Sequence, residues 1–455
     1  MRLKVMDLFA GAGGLSEGLA AEGIEVRLAQ ELHPQPGLTH ALNHPDTSVV
    51  VGDIRQLNLN VLRDVLQRNH GEDAVDIVVG GPPCQGFSSA GKKQIDDPRN
   101  NLFTHFCRVV AEFRPKAIVL ENVPGFKTRY GGQIYQQARK AFSALGYELE
   151  DRILNARDYG VPQNRNRFVM VGIQRSLGLH WTWPEPTHGG HTEGLFGSLL
   201  KPFVTVEDAI SDLEFVTPGF EGHRPLHTAR TSYQLDRRSN SHLLFNHLAT
   251  RHRSKAVEMF QHIPEGGTIN AVPNALRSAK RTMARFDRKG VSNAVLALPD
   301  DLIHYDQDRI PSVRELARLQ SYDDDYVFMG KRTSGFKERR VDVPQYTQVG
   351  NSVPPLLARA IGRALVRMFG AEGGDQRCLK ARRERASWIR GSSARAGYTL
   401  ANEATVRLYD LQGEILPLPL DERAVAVGDA EALVEWAVGE RVGLSKQWAP
   451  NAMAI

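Results

Sequence analysis

"KVMDLFAGAGGLSEGLAAEG", residues 4–23, decides the fold. It opens with a short apolar run, passes through glycines, and continues as a helical stretch from Gly14 to Glu22. A strand that turns through glycine into a helix is the first half of a β-α-β unit. The same alternation continues outward. "EVRLAQ", "SVVVGD", "VDIVVG" and "AIVLEN" are further β-rich runs, and helix-like segments near 35–44, 59–69, 101–113 and 133–144 lie between them. "RFVMVGI" at 167–173 reads as a late strand of the same sheet. Strands alternating with helices predict an α/β, Rossmann-like, doubly wound sheet over the first 175 residues.

The chain has 455 residues, enough for two or three domains. Apolar residues make up 41% and charged residues 24%, ordinary usage for a globular protein. No apolar run is long enough to span a bilayer, and the N-terminus reads as the first strand rather than a signal peptide, so a cytoplasmic protein with no membrane partner is expected. The three cysteines, Cys84, Cys107 and Cys378, form no CxxC pair, which excludes a disulfide framework and a cysteine zinc cluster. No metal is expected. Net charge is +5, a mild pointer to a polyanionic partner.

That charge is unevenly spread. Residues 221–290 carry thirteen basic side chains against five acidic ones, an excess of eight that exceeds the net +5 of the whole chain. A single charge run is usually a solvated face. This one coincides with an irregular segment, which raises the case for nucleic-acid contact, and Arg237, Arg238, Arg251 and Arg253 are the candidates. Helical order returns at "SVRELARLQSY" (312–322), where Ser312 and Glu315 have capping-box spacing. In "QVGNSVPPLLARAIGRALVRMF" (348–369), Pro354 and Pro355 mark a helix start. The last 55 or so residues predict a hairpin around "TVRLYDLQGEILPL" and a helix near 429–438.

In a doubly wound sheet, ligands bind outside the carboxyl ends of the strands. Five consecutive strand ends carry a special residue: the glycine loop of residues 7–14, then Glu31, Asp53, the Cys84 loop and Glu121. Gly11, Gly13 and Gly14 do not complete G-x-G-x-x-G, because Ser16 stands at the last position, and no Lys-Ser/Thr follows to make a phosphate loop. Singly, Glu31 and Asp53 are more often helix caps. Together, an acid after the second strand suits a ribose diol and one after the third suits an exocyclic amine. That is an adenosine pocket, which NAD and S-adenosylmethionine fit equally. Cys84 separates them. "GGPPCQGFSS" (80–89) fixes the approach of one thiol with two glycines and two prolines. An inert core cysteine needs no such loop, whereas a nucleophile needs a rigid one. Arg165 and Arg167, in "QNRNR", stand where they can lower the thiol's pKa of about 8.5.

With these motifs in this order, the chain resembles the cytosine-C5 DNA methyltransferases of the bacterial modification type. The resemblance rests on "DLFAGAGGL" (7–15), Glu31, "GDI" (52–54), "PPCQGFS" (82–88), "NNLF" (100–103), "ENV" (121–123), "QNRNRF" (163–168), "RELARLQ" (314–320) and "QVGNSVPP" (348–355). It implies a catalytic domain made of residues 1–175 and 345–370, a target-recognition domain over 176–344, and a C-terminal extension over 371–455. It also implies S-adenosylmethionine as cofactor, held by Phe9, Gly11, Gly13, Gly14, Leu15, Glu31, Asp53, Ile54, Pro83, Leu102, Asn351 and Ser352. Cys84 would attack C6 of a cytosine flipped from duplex DNA, so that C5 can accept the methyl group. Glu121 would favour protonation of N3, Arg165 would hold the O2 side of the base, and Arg167 would be structural support. Gln85, Gly86 and Ser88 would close over the flipped base, with Gly86 as hinge and Ser88 near a phosphate. A monomer is expected, with double-stranded DNA as partner and a cognate restriction endonuclease as a natural companion.

Three other readings stand beside this one. An RNA methyltransferase would share the chemistry but have a more compact middle region. A silent DNA-binding homologue would not need Cys84, Glu121 and Arg165 intact. An NAD-dependent dehydrogenase would leave Cys84 and Glu121 unexplained.

Overall fold

The computed structural model describes residues 1–83, 102–190, 200–213, 222, 227–238, 244–278, 282–298, 301–333, 343–374, 389–391, 398–400 and 407–416. Strand β1 (Lys4–Leu8) is followed by α1 (Gly14–Ala20), β2 (Glu25–Glu31), α2 (Pro34–Asn43), β3 (Ser48–Val51), α3 (Leu59–His70) and β4 (Ile77–Gly80). Then come α4 (Leu102–Phe113), β5 (Ala117–Asn122), α5 (Gln133–Ala144), β6 (Tyr147–Asn155) and β7 (Asn166–Gln174). The sheet order is β3-β2-β1-β4-β5-β7-β6, parallel except for β7, which runs antiparallel to both neighbours. Strands β3, β4 and β5 are buried throughout, as expected of parallel strands covered on both faces. One apolar cluster lies between the sheet and α3, α4 and α5; another fills the opposite face under α1 and a C-terminal helix.

That helix, α8 (Pro355–Phe369), starts where the prolines predict and ends at Gly370 in the left-handed conformation (φ +57°). Leu357, Ile361 and Leu365 face α1 and are buried. Arg359 and Arg363 both pair with Glu22, at 2.7 and 2.8 Å. Pairing with both guanidiniums outweighs burial and holds the Glu22 carboxyl below its usual pKa. The returning chain is thereby fastened to the first helix of the sheet domain.

A separate core gathers Val206, Phe260, Phe286 and Ile303 with α6 (Val313–Leu319) and α7 (Gln345–Asn351), which contributes Tyr346 and Val349. The predicted capping box at the start of α6 is present in both halves: Ser312 Oγ accepts from Glu315 N, and Glu315 Oε2 accepts from Ser312 N. The charged residues of "RELARLQ" are fully buried. Arg318 is held by Asp324 and Asp212, Glu315 by Arg309 on both oxygens, and Arg314 by the carbonyls of Phe245, Asp323 and Tyr326. Burial would raise the Glu315 carboxyl, but the Arg309 pair overcomes it and holds it far below the carboxylate range.

Two features depart from the sequence reading. Strand β6 was not anticipated: it is a half-exposed outer strand carrying Glu148, Glu150, Asp151 and Arg152. The hairpin near residue 409 is present, and its first arm, β8 (Leu408–Tyr409), adds to the outer edge of β3 in parallel as an eighth strand. The helix expected near 429–438 lies outside the described residues.

Candidate active site

Register brings the strand ends into one row. Leu8 pairs with Gln30 and Gly80, Gln30 with Val50, and Gly80 with Leu120. The residues that follow therefore emerge along one edge: Phe9, Glu31, the Gly52–Asp53 turn, Gly81 and Glu121.

The turn after β1 needs its glycines for different reasons. Phe9, Gly11 and Gly13 all have positive φ (+56°, +54° and +84°), a cost that Phe9, as an L residue, bears without glycine's freedom. A Cβ on Gly11 would meet nothing within 4 Å among the described residues, which leave open space above it. A Cβ on Gly14 would lie 2.1 Å from Ser352 Oγ and 2.3 Å from Val353 O, so the residues leading into α8 press directly on this turn. Ser352 Oγ is hydrogen-bonded to the buried Tyr322 hydroxyl, while Asn351 is exposed. The Leu15 side chain lies in the apolar core under α8, and that of Ile54 in the core shared by Phe9 and Leu102.

Three acids serve this end of the sheet. Glu31 is buried; Oε2 accepts from Gly11 N at 2.8 Å and Oε1 from His33 N at 3.0 Å. The carboxylate keeps acceptor capacity for a further donor. Burial raises its pKa against backbone bonds from His33, Gly11 and Leu32. Asp53 is gripped by Arg55 through Nε and Nη2, at 2.9 and 2.6 Å. Asp7, fully enclosed in β1, accepts from Ser16 Oγ at 2.7 Å, and burial pushes its carboxyl up to about 7. Arg55, Asp7 and Tyr322 were not singled out from the sequence. Asp7 was the most legible of them, an acid inside an apolar strand directly before the glycine turn.

On the other side of β1, Gly81 lies against Glu121: a Cβ there would sit 2.9 Å from Glu121 Oε2. Asn122 Nδ2 donates to Pro82 O at 2.9 Å. The Gly81–Pro83 segment is thus moored to the end of β5. Glu121 is buried and pairs with Arg167 Nε at 2.8 Å. Burial raises the Glu121 carboxyl, opposed by the charges of Arg167 and Arg165. Cys84, Gln85, Gly86 and Ser88 lie outside the described residues.

The two arginines differ from expectation in what they touch. Arg165 donates to Gln163 Oε1, Val295 O, Gly350 O and Ser352 O, and only its Nε lacks a partner among the described residues. Arg167, expected as support, is the one ion-paired to Glu121.

Two of the four basic candidates for DNA contact are corrected. Arg237 is buried, donating to Ser321 O at 2.6 Å and pairing with Asp323 at 3.0 Å. Arg238 pairs with the buried Asp212 and donates to His227 O. Their charge is spent inside the protein. Arg251 and Arg253 are exposed and make no side-chain hydrogen bond or ion pair with the described residues. The ring of His252 between them accepts from Ile310 N at 3.2 Å and packs edge-on against Phe260, which fixes the segment.

The sheet thus sets an acid-lined glycine turn beside the Gly81–Pro83 segment, which is moored next to a buried glutamate–arginine pair. The chain belongs to the C-5 cytosine-specific DNA methylase family, whose model matches residues 3–367, and is a DNA (cytosine-5-)-methyltransferase. It is 38% identical over 375 residues to the type II methyltransferase M1.HphI of Haemophilus parahaemolyticus, covering 81% of this chain and 88% of that one. It is 34% identical over 382 residues to the type II methyltransferase M.DdeI of Desulfomicrobium norvegicum, covering 80% and 88%. A solved structure of a candidate DNA modification methyltransferase encoded within an E. coli prophage superposes with a TM-score of 0.65 at 27% identity, covering 81% of this chain and 99% of that one. Among the described residues, no helix is long and apolar enough to cross a membrane.

Proposed function

We propose that Cys84 is the nucleophile of a methyl transfer from S-adenosylmethionine to C5 of a cytosine flipped out of duplex DNA. The family implies the cofactor, and the residues present fit it. Open space lies above Gly11, Glu31 retains acceptor capacity suited to a ribose diol, and Asp53 stands one strand further out for an exocyclic amine. Phe9, Ile54 and Leu102 belong to one apolar cluster beside them, suited to a purine face. Gly13, Gly14, Leu15, Pro83, Asn351 and Ser352 complete the proposed pocket, with Leu15 contributing through its backbone. When bound, the cofactor supplies a methyl group activated on a sulfonium.

Cys84 directly follows the Gly81–Pro83 segment in the sequence, and that segment is moored to the end of β5. Its thiolate forms a bond to C6 of the base. The ring electrons shift towards C5, which becomes the nucleophilic carbon. Glu121, which holds its proton more tightly than an exposed glutamate, donates to N3 as charge builds. After transfer, solvent water takes the C5 proton, that bonding pair re-forms the C5–C6 double bond, the S–C6 pair leaves with the thiolate, and the N3 proton returns to Glu121. Arg167 orients the Glu121 carboxyl and faces the base side with it. Arg165 positions the strand that carries Arg167. Flipping costs a few kcal/mol, which contacts of Gln85, Gly86 and Ser88 to the displaced base and of Arg251 and Arg253 to phosphates offset. We further propose that it acts as a monomer beside a restriction endonuclease of the same target.

The observation that carries this reading is the mooring of the Gly81–Pro83 segment on the Glu121–Arg167 pair, one strand from the glycine turn. A duplex containing 5-fluorocytosine tests it, because fluorine at C5 blocks the elimination that frees the enzyme. Wild-type protein with cofactor is expected to form a denaturant-resistant complex, and Cys84→Ser none. A trapped complex with Cys84→Ser would refute the assignment.

A further inference from the structure

The hairpin of residues 407–416 lies beyond residue 367, where the family match ends, yet it touches the proposed adenine end of the site. Leu408 and Tyr409 pair with Val49 and Val50 of β3 and are buried. Tyr409 donates its hydroxyl to Asn69 at 2.9 Å, and Arg68 donates to Gly413 O at 3.0 Å, so α3 holds the hairpin as well. At its tip, Leu411 reaches Gly52: a Cβ on that glycine would lie 2.3 to 2.9 Å from Cγ, Cδ2 and Cδ1 of the leucine. Gly52 has φ +146°, a conformation L residues rarely adopt, and it lacks the side chain whose place Leu411 takes.

Gly52 is the residue before Asp53. Its N–H donates to Glu31 O at 2.8 Å, and its carbonyl accepts from Gln30 Nε2 at 2.6 Å. Arg108 Nη2 donates to Ile54 O at 2.7 Å and Leu57 O at 3.1 Å. The turn carrying Asp53 is therefore held by β2 on one side and α4 on another. Leu411 covers a further side, over the Cα of its most permissive residue.

We infer that the C-terminal hairpin is a working wall of the cofactor site, in which Leu411 is a positioning residue that sets the Gly52–Asp53 turn for recognition of an adenine amine. This rests on the reading of Asp53 given above. The competing account is that β8 only covers the open edge of β3, a common device against edge pairing. The two differ in what they predict for ligand discrimination. An edge cover affects stability alone, whereas a positioning residue changes how well the pocket tells an amine from a carbonyl at purine position 6.

The test is calorimetric titration of the full chain with S-adenosylhomocysteine and with S-inosylhomocysteine, alongside thermal denaturation. Leu411→Ala is expected to cut the preference for the adenosyl ligand at least fivefold, and Asp53→Ala to abolish it. Ile415→Ala, at an exposed position of the same hairpin, should leave it as in wild type. If Leu411→Ala does not fold, Leu411→Val carries the measurement with a smaller expected drop of about twofold. A lost preference in Asp53→Ala with full preference in the Leu411 variants would overturn the inference and leave the Asp53 reading standing. Full preference in Asp53→Ala would overturn both.

Discussion

Replacing Gly14 by alanine puts a single methyl group into the most crowded part of the cofactor turn. Gly14 begins α1 and is not among the positive-φ glycines, so helix propensity alone favours the change by up to about 1 kcal/mol. Packing opposes it. The added Cβ would lie 2.3 Å from the backbone carbonyl of Val353, 2.1 Å from Ser352 Oγ and 2.5 Å from the Tyr322 hydroxyl. Ser352 Oγ cannot swing away without breaking its bond to Tyr322, and the carbonyl cannot move without the residues that lead into α8. Restoring an ordinary separation takes a displacement of roughly 1 Å. Overpacking of this kind costs about 1–3 kcal/mol, so the net effect is destabilising. The displaced residues are Ser352 and its neighbours, proposed to line the cofactor pocket, so affinity should fall about tenfold or more, which is about 1.4 kcal/mol. Gly11→Ala is the matched control. It meets no atom of the described residues within 4 Å, so its expected stability cost is the left-handed strain, about 1–2 kcal/mol, while its methyl group enters the space above the turn. Calorimetric titration with S-adenosylhomocysteine and thermal denaturation of both variants separate the two effects. Gly14→Ala with wild-type melting temperature and wild-type affinity would refute the close approach of the two chain segments.

Arg237→Met should lower the melting temperature, because breaking a buried ion pair costs about 3–5 kcal/mol, and should leave the DNA dissociation constant of the folded protein unchanged. Arg251→Ala with Arg253→Ala should do the reverse, weakening binding to all duplexes and reducing the slope of log K against log salt by about 0.9 for each phosphate left unneutralised; filter binding across a salt series checks both. Asp7 gives a pH signature. Its folded pKa of about 7 lies above an unfolded value of about 3.9, so the folded chain holds a proton that the unfolded chain releases between them. That contribution is complete below the unfolded value and is lost as pH rises towards 7, a change on the order of 4 kcal/mol at most. Asp7→Asn, neutral throughout, should flatten the fall in melting temperature between pH 5 and 7.5, and an unchanged slope would show that Asp7 is ionised in the folded protein.

What the sequence revealed follows from where each residue's partners lie. Strands β3, β4 and β5 were legible because burial on both faces leaves apolar runs, ended by the glycines and acids of the strand ends. The start of α6 was legible because Ser312 and Glu315 satisfy each other within one turn. Strand β6 was not, because its outward positions carry Glu148, Glu150 and Arg152, and charge dilutes the apolar signal of an outer strand. Arg237 and Arg238 were misread for a related reason. A count of charges says nothing of burial, and their acids, Asp323 and Asp212, come from distant segments that only the folded chain brings together. The hairpin at 407–416 was visible as a hairpin, but its seat on β3 depends on pairing across most of the chain length.

The "QNRNR" segment joins parts of the chain that lie far apart in the sequence. Arg165 and Arg167 stand two residues apart at the start of β7, yet they bond to different parts of the molecule. Arg167 meets Glu121, on the proposed base side of the sheet. Arg165 reaches Val295 in the variable middle region and Gly350 and Ser352 on the returning chain. Gln163 extends the junction by accepting from Val295 N and donating to Leu319 O. A guanidinium with several fixed donors can gather carbonyls from separate segments in one plane, which a lysine ammonium cannot. Movement of the middle region as it engages a duplex would therefore pull on the same strand that orients the Glu121–Arg167 pair and on the same turn that holds Ser352. On the proposed assignments, reading of the target, orientation of the base and closure of the cofactor pocket meet at Arg165.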